Sequence, residues 1–287
     1  MNEINYTDNN AVKELTPEEK WERATIANNF IFYKIMYNNP DVCKELLEIL
    51  LQIRIDHIHM HNEEVIEIDY GKKGIRLDVY AVGASKVFDI EIQVTDTGEI
   101  PERARFYQGA LDISELNSGQ TYKELKDSYI IFICIPDIFG QGLPKYTFEN
   151  LCIENPKIRL NDRTYKYFFI AENCAKISDE KQKSFLKLLT SNEGTDDFAD
   201  KITKLVEEAK KNTEWRRQYM EWERQMAYKY REGKAEGIAE GIAEGITEGK
   251  QETATNLLKM HLLTKEQIAQ GTGLPVEKII ELEKEIH

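Results

Sequence analysis

Gly74-Ile75-Arg76-Leu77-Asp78-Val79-Tyr80-Ala81 and, after a short break, Val87-Phe88-Asp89-Ile90-Glu91-Ile92-Gln93-Val94 are the stretches that decide the fold. Both alternate apolar and polar residues with period two, the pattern of half-buried β-strands. The break Gly83-Ala84-Ser85-Lys86 has the length of a hairpin loop. Pairing Val82 with Val87 across it sets Asp78 opposite Glu91 and Arg76 opposite Gln93. Opposed residues of an antiparallel pair share a face, with Cβ atoms roughly 4.5–5.5 Å apart. Leu77, Val79 and Ala81 then join Phe88, Ile90 and Ile92 on the other face as the core side.

Two carboxylates placed opposite each other repel. A divalent cation reverses the sign of that interaction, and Mg²⁺ accepts one or two carboxylates together with waters and substrate phosphates. A metal so held polarises a phosphoryl oxygen and supplies a hydroxide nucleophile. The same spacing also fits a hairpin whose outer face is simply charged and solvated. Spacing alone leaves both readings open.

At 287 residues the chain can hold one substantial domain and an appendage. No apolar run reaches about 18 residues, so no transmembrane helix and no membrane partner are expected. The opening MNEINYTDNN is polar and acidic, unlike a secretory signal peptide. Cys43, Cys134, Cys152 and Cys174 lie far apart without CxxC spacing. That usage fits a reduced, cytoplasmic setting and argues against a cysteine zinc site. The formal net charge of −13 counts against broad, non-specific nucleic-acid binding, which draws on Lys and Arg. A nuclease would need a local basic patch. Lys72, Lys73 and Arg76 before the hairpin and Arg103 and Arg105 after it form one candidate, with ordinary surface charge as the other reading. His57, His59 and His61 share a strand face but have no carboxylate or cysteine partner fixed by spacing, so an exposed polar face is expected there. No Gly-rich phosphate loop, GxSxG elbow or HExxH is present.

Helices are expected from about 17 to 52, opened by Thr16-Pro17-Glu18-Glu19 and reopened at Pro40. Ile53–His61 and Glu64–Tyr70 read as strand material. Pro101 opens a helix running to about Leu116, and Ser128–Ile135 is a continuous apolar strand. Tyr146–Cys152 and Tyr165–Ala171 read as shorter strands. The order implies a mixed α/β domain on a central sheet, over residues 17–190. Residues 198–252 read as a charged helical region. Within it Gly233, Gly237, Gly241, Gly245 and Gly249 recur at intervals of four, with Ile238, Ile242 and Ile246 in phase. Glycine costs about 1 kcal/mol per residue in a helix relative to alanine. The repeat therefore reads as a self-associating or partly flexible helix, which would make the chain a dimer, or as a linker. Residues 253–287 form a small helical tail, with a capping box at Thr264-Lys265-Glu266-Gln267 and a glycine turn. It resembles a helix-turn-helix, but its second helix is acidic and suits phosphate contacts poorly.

Asp78 followed by Glu91-Ile92-Gln93 on the next strand, and then a helix, resembles the PD-(D/E)XK nuclease core. More closely, the chain resembles the Rpn (recombination-promoting nuclease) and transposase family of bacteria. The resemblance runs through Gly74–Tyr80, Ile90–Gln93, Pro101-Glu102-Arg103-Ala104-Arg105-Phe106-Tyr107-Gln108-Gly109, Tyr129–Cys134 and Tyr146-Thr147-Phe148-Glu149-Asn150. The Glu-Gly repeat and the Leu-Thr-Lys-Glu-Gln-Ile-Ala tail extend it over nearly the whole chain.

The resemblance implies a restriction-endonuclease-like α/β fold and a Mg²⁺- or Mn²⁺-dependent DNA endonuclease linked to recombination and transposition. It implies a metal held by Asp78, Glu91 and the Ile92 carbonyl, with Gln93 where the wider superfamily has lysine. An amide can orient the attacking water but cannot stabilise negative charge as an ammonium does. Arg103, Arg105, Tyr107 and Gln108, with Arg76, would face the DNA. Relatives often carry an acidic residue on the first core helix where this chain has Asn29, which brings no charge to the site. Two alternatives to the DNA endonuclease stand beside it. One is a catalytically weak or inactive oligomeric protein of the same fold that regulates a partner; the other is a nuclease acting on RNA.

Overall fold

The computed structural model describes residues 15–61, 65–66, 75–76 and 78–286, with the backbone alone at 65–66 and 75–76. The chain divides into one unit running to Tyr219 and a second from Met220.

The first unit opens with α1 (Pro17–Arg23), α2 (Asn29–Asn38) and α3 (Pro40–Leu51). Thr16 and Glu19 form a reciprocal capping box at α1, and the Asn28 side chain accepts from the Ile31 N–H at α2. The strands are β1 (Ile58–Met60), β2 (Val65–Ile66), β3 (Ile75–Arg76), β4 (Val79–Gly83) and β5 (Lys86–Gln93), followed by α4 (Ile100–Glu115). Then come β6 (Asp127–Cys134), β7 (Lys145–Phe148), β8 (Thr164–Ile170), α5 (Glu180–Ser191) and α6 (Asp197–Lys211). Six strands form one sheet in the order β1-β4-β5-β6-β8-β7, parallel at β5–β6 and β6–β8 and antiparallel elsewhere. α4 is the crossover that parallel β5 and β6 require.

The hairpin has the expected register, from Val82↔Val87 to Val79↔Ile90, around a two-residue turn at Ala84-Ser85. Its expected extension does not form. Arg76 pairs with Val65 in a separate two-stranded ladder of β2 and β3, and the β4–β5 ladder reaches only to Val79↔Ile90. β3 ends at Arg76, β4 begins at Val79 and Asp78 lies in a bend, so the described ladder does not set Arg76 opposite Gln93. Leu77, Lys72 and Lys73 lie outside the described residues. The expected strand Tyr146–Cys152 stops at Phe148, beyond which an isolated Leu151↔Arg159 bridge is present.

The face bearing Asp89, Glu91 and Gln93 is covered rather than solvated. Tyr80, Val82 and Val87 on that face pack with Ile130, Phe132, Phe168 and α4 residues Ala104, Ala110 and Leu111 into one buried cluster. Burying such side chains contributes roughly 1.5–3 kcal/mol each, enough to draw α4 down over neighbouring carboxylates. Val79, Ala81, Phe88, Ile90, Ile92, Ile131 and Ile133 are buried on the opposite face. Helices α2 and α3 close the sheet at β4 and β1, and α5 and α6 pack on those helices.

Asn212 ends α6 and starts α7 (Thr213–Met260), its Oδ1 accepting from the Glu214 and Trp215 N–H groups. The region expected as a single run is therefore two helices. In the second unit α7 is continuous through all five repeat glycines, and Ile238, Ile242 and Ile246 are each more than half exposed. Its C-terminal turns pack Ala254 and Leu258 against α8 (Lys265–Thr272) and α9 (Val276–Ile286), through Ile268, Ala269, Ile279 and Leu282. Gly273, at φ +70°, makes the left-handed cap between α8 and α9 that glycine tolerates best.

Candidate active site

The β4–β5 ladder ends at Val79↔Ile90, and side chains satisfy the donors just beyond it. The Asp78 N–H donates to Glu91 Oε1 at 2.9 Å, and the Ile92 N–H donates to Asp78 Oδ2 at 3.4 Å. Asn29, in the first turn of α2, donates its amide to the same Asp78 Oδ2 at 3.4 Å. The Gln93 carbonyl accepts from the Ile135 N–H on the β6 side. Alternation along the strand therefore directs the Ile92 carbonyl to the β4 side, toward Asp78. Asp78 and Glu91 thus meet where the hairpin runs out of backbone pairing, with the Ile92 carbonyl directed to the same side.

Opposite them stands α4. The Arg103 Nη2 donates to Glu91 Oε2 at 2.8 Å and Nη1 to Gln93 Oε1 at 2.9 Å. Nε and Nη2 also donate to the Tyr107 hydroxyl at 3.2 and 3.0 Å. The guanidinium lies 5.4 Å from the Tyr107 ring centroid and 5.6 Å from that of Phe132. This anchoring fixes Gln93. A guanidinium only donates, so the atom facing it is the amide oxygen, and Nε2 is left pointing to Glu91 Oε2 at 3.5 Å. Gln93 consequently serves the site as a donor.

The site is crowded with carboxyl groups and shielded from solvent. Glu91 is 1% exposed and Asp89, two residues earlier on the same face, is 0% exposed. Both Asp89 carboxylate oxygens lack a hydrogen-bond partner among the described residues. Burial, then the neighbouring Asp78 carboxylate, pushes the Asp89 acid group well above its ordinary value, with Arg103 opposing. Glu91 is raised for the same leading reasons, joined by Asp89, while its hydrogen bond from Asp78 and the Arg103 charge pull it down. Burial and then Glu91 push the Tyr107 phenol up to about 12. Arg103 is thus the cation that compensates three crowded carboxyl groups.

Two carboxylates and a main-chain carbonyl suit a divalent cation that completes its shell with waters and phosphate oxygens. Among the described residues no group of three or more His, Cys, Asp or Glu converges on a metal position, so a cation here would rest on Asp78, Glu91 and that carbonyl. His57, His59 and His61 fall under the same statement: His57 and His59 are exposed with rings 4.6 Å apart, and His61 packs on Tyr80.

Of the other residues expected at the site, Tyr107 joins it through Arg103 and the rest are spread out. Arg105 is exposed on α4. Tyr107 and Gln108, expected to face DNA, are 9% and 7% exposed beneath the helix. The Gln108 amide donates to Asp112 at 3.3 Å, away from the hairpin end. Phe106, beside them on the helix, is 42% exposed. The Arg76 side chain lies outside the described residues. Asp89 and the inward turn of Arg103 are the features that sequence reasoning missed. The Asp-x-Glu-x-Gln spacing places Asp89 on the Glu91 face, so that part was available from period two.

A family model described as PD-(D/E)XK nuclease family transposase matches residues 28–236, from the cap of α2 through the whole sheet and into α7. No curated protein and no solved structure matches the chain.

Proposed function

Because the chain belongs to the PD-(D/E)XK nuclease family of transposases, we propose that it is a divalent-metal-dependent endonuclease acting on DNA in recombination or transposition. The observation that carries this reading is the placement of Asp78 and Glu91 together at the end of the hairpin ladder, where the Asp78 backbone N–H donates to Glu91 Oε1 at 2.9 Å. Asp78, Glu91 and the Ile92 carbonyl would hold Mg²⁺ or Mn²⁺. When bound, the ion supplies Lewis acidity toward a phosphoryl oxygen and lowers the pKa of water.

The chain's own residues do the rest. Gln93, with its oxygen held by Arg103, donates from Nε2 to the attacking water or a phosphate oxygen. It orients and does not take a proton. Arg103 keeps Glu91 in place and offers the positive charge that the neutral Gln93 lacks. Arg105 on the exposed side of α4 is placed for a phosphate contact. Asn29 holds Asp78 by a hydrogen bond and adds no charge, so the site has two anionic ligands. That feature favours a second reading, a weakly active or inactive protein of the same fold that regulates a partner. The exposed Ile238, Ile242 and Ile246 on α7 support self-association of that helix as a dimer. With DNA as its substrate, we place its work in the cytoplasm.

Calorimetric titration with Mn²⁺ tests the assignment. Saturable binding in the native chain, lost in Asp78→Ala and Glu91→Ala, is expected. Absence of binding at millimolar Mn²⁺ would favour the regulatory reading.

A further inference from the structure

Beside α4, on the same face of the sheet as Glu91, lies a cavity of about 290 Å³ whose lining includes Phe139, Phe148, Phe168, Asn150, Lys166 and Pro101. Three phenyl rings form its apolar wall, with centroids 5.3 Å apart for Phe139–Phe148, 5.6 Å for Phe148–Phe168 and 5.1 Å for Phe139–Phe168. Phe148 is 45% exposed although it is itself a paired strand position, opposite Lys166. The loop bearing Phe139 is pinned. Asp137 accepts from the Phe139 N–H at 3.1 Å, the Gly142 N–H at 2.7 Å and the Tyr146 hydroxyl at 2.9 Å. The wall is therefore already assembled.

The rim is polar. Asn150 donates its amide to Asp162 at 2.6 Å, which turns its Oδ1 away as an acceptor. Lys166 makes no ion pair within 4 Å among the described residues. Pro101 opens the helix whose Arg103, two residues on, holds Glu91.

We propose that this cavity receives one unstacked nucleobase of the DNA substrate, stacked on Phe148 and met at its edge by Asn150. The inference rests on the nuclease reading and adds a binding site to it. Size favours a single heterocycle, since the volume sits at the low end for small-ligand pockets. Charge favours a nucleotide at one point of the lining: Glu149 is paired with Arg159, and Lys166, whose charge also acts on Asp112, is the lining cation that an attached phosphate would meet. The chain's balance argues the same way. A net charge of −13 counts against broad, non-specific binding by phosphate neutralisation. Stacking on aromatic faces is a source of affinity that needs no positive charge.

The test is fluorescence-anisotropy binding of the full chain, without added metal, to a labelled oligonucleotide carrying 2-aminopurine at successive positions. Phe148→Ala is expected to weaken binding about 5- to 150-fold at every salt concentration, without changing the slope of log K against log salt. Phe148→Trp should restore affinity, and 2-aminopurine at one position should respond to the native chain but not to Phe148→Ala. Unchanged affinity and fluorescence in Phe148→Ala, beside a native chain that binds and nicks DNA, would overturn the base pocket and leave the nuclease reading standing. A native chain that neither binds DNA nor nicks it with Mn²⁺ would overturn both. A Phe148→Ala loss that Phe148→Trp does not restore, with no position-specific 2-aminopurine response, would mean that the cavity holds something other than a base.

Discussion

Replacing Arg103 with leucine removes the one described cation bonded to Glu91, together with its bonds to Gln93 and Tyr107. Glu91, 1% exposed, is left as a buried carboxylate beside Asp78 and Asp89. Removing one partner of a buried ion pair costs about 3–5 kcal/mol. Arg103 is itself 26% exposed, so water partly replaces it and the lower end, about 3 kcal/mol, applies. For a unit of this size each kcal/mol moves the melting temperature by about 2–4 °C. Arg103→Leu should therefore melt about 6–12 °C below the native chain in EDTA.

The deficit should depend on pH with a definite sign. Without Arg103 the Glu91 acid group rises further, so the folded chain holds a proton that the unfolded chain has released. Stability is then lost as pH climbs above the ordinary carboxylate range, and the deficit should be larger at pH 8 than at pH 5.5. Saturating Mn²⁺ should narrow it, because a cation at Asp78 and Glu91 replaces the missing charge and no longer competes with Arg103 for Glu91 Oε2. Circular-dichroism melts of both proteins, with EDTA and with Mn²⁺, read all of this. A variant melting within 2 °C of the native chain in EDTA at pH 8 would refute the compensating role of Arg103.

Other consequences are simpler. Asp89→Asn should raise the melting temperature above pH 7, by a gain of about 1–3 kcal/mol in stability, because both Asp89 oxygens are buried without partners among the described residues. Its raised acid group makes the native chain lose stability as pH rises from about 4, and urea titrations across pH should show a flatter profile in the variant. Gln93→Lys, which restores the superfamily's residue type, should lower both melting temperature and nicking rate, because its ammonium would face Arg103 across the present 2.9 Å contact. Replacing Ile238, Ile242 and Ile246 together with serine should leave the circular-dichroism melt of the sheet unit unchanged and shift sedimentation from dimer to monomer. A native chain that already sediments as a monomer would remove self-association from the proposal.

Much of the hairpin was legible because period two and a short turn leave few registers. Pairing Val82 with Val87 follows from the alternation, and the structure has it. The covering of the charged face was less so. Tyr80, Val82 and Val87 share that face and could have signalled a helix above it, but two carboxylates on the same face also read as solvated. Arg103 reaches Glu91 only because the turn after β5, with Gly98 at φ +71°, aims α4 back across the sheet. That is a tertiary consequence with no local spacing to announce it. The interruption after Arg76 is equally non-local, since Arg76 pairs with Val65 from an earlier segment. By contrast, Asn212 before Thr213-Glu214 is an ordinary capping signal and marks the break between α6 and α7.

The central claim is that Asp78 and Glu91 form a metal-dependent phosphodiesterase centre. Nicking of supercoiled plasmid by the purified chain, in Mg²⁺, Mn²⁺ or EDTA, tests it most directly. The account predicts nicking with either metal, none in EDTA, and none with Asp78→Ala or Glu91→Ala. Metal-dependent nicking that survives Asp78→Ala would contradict it.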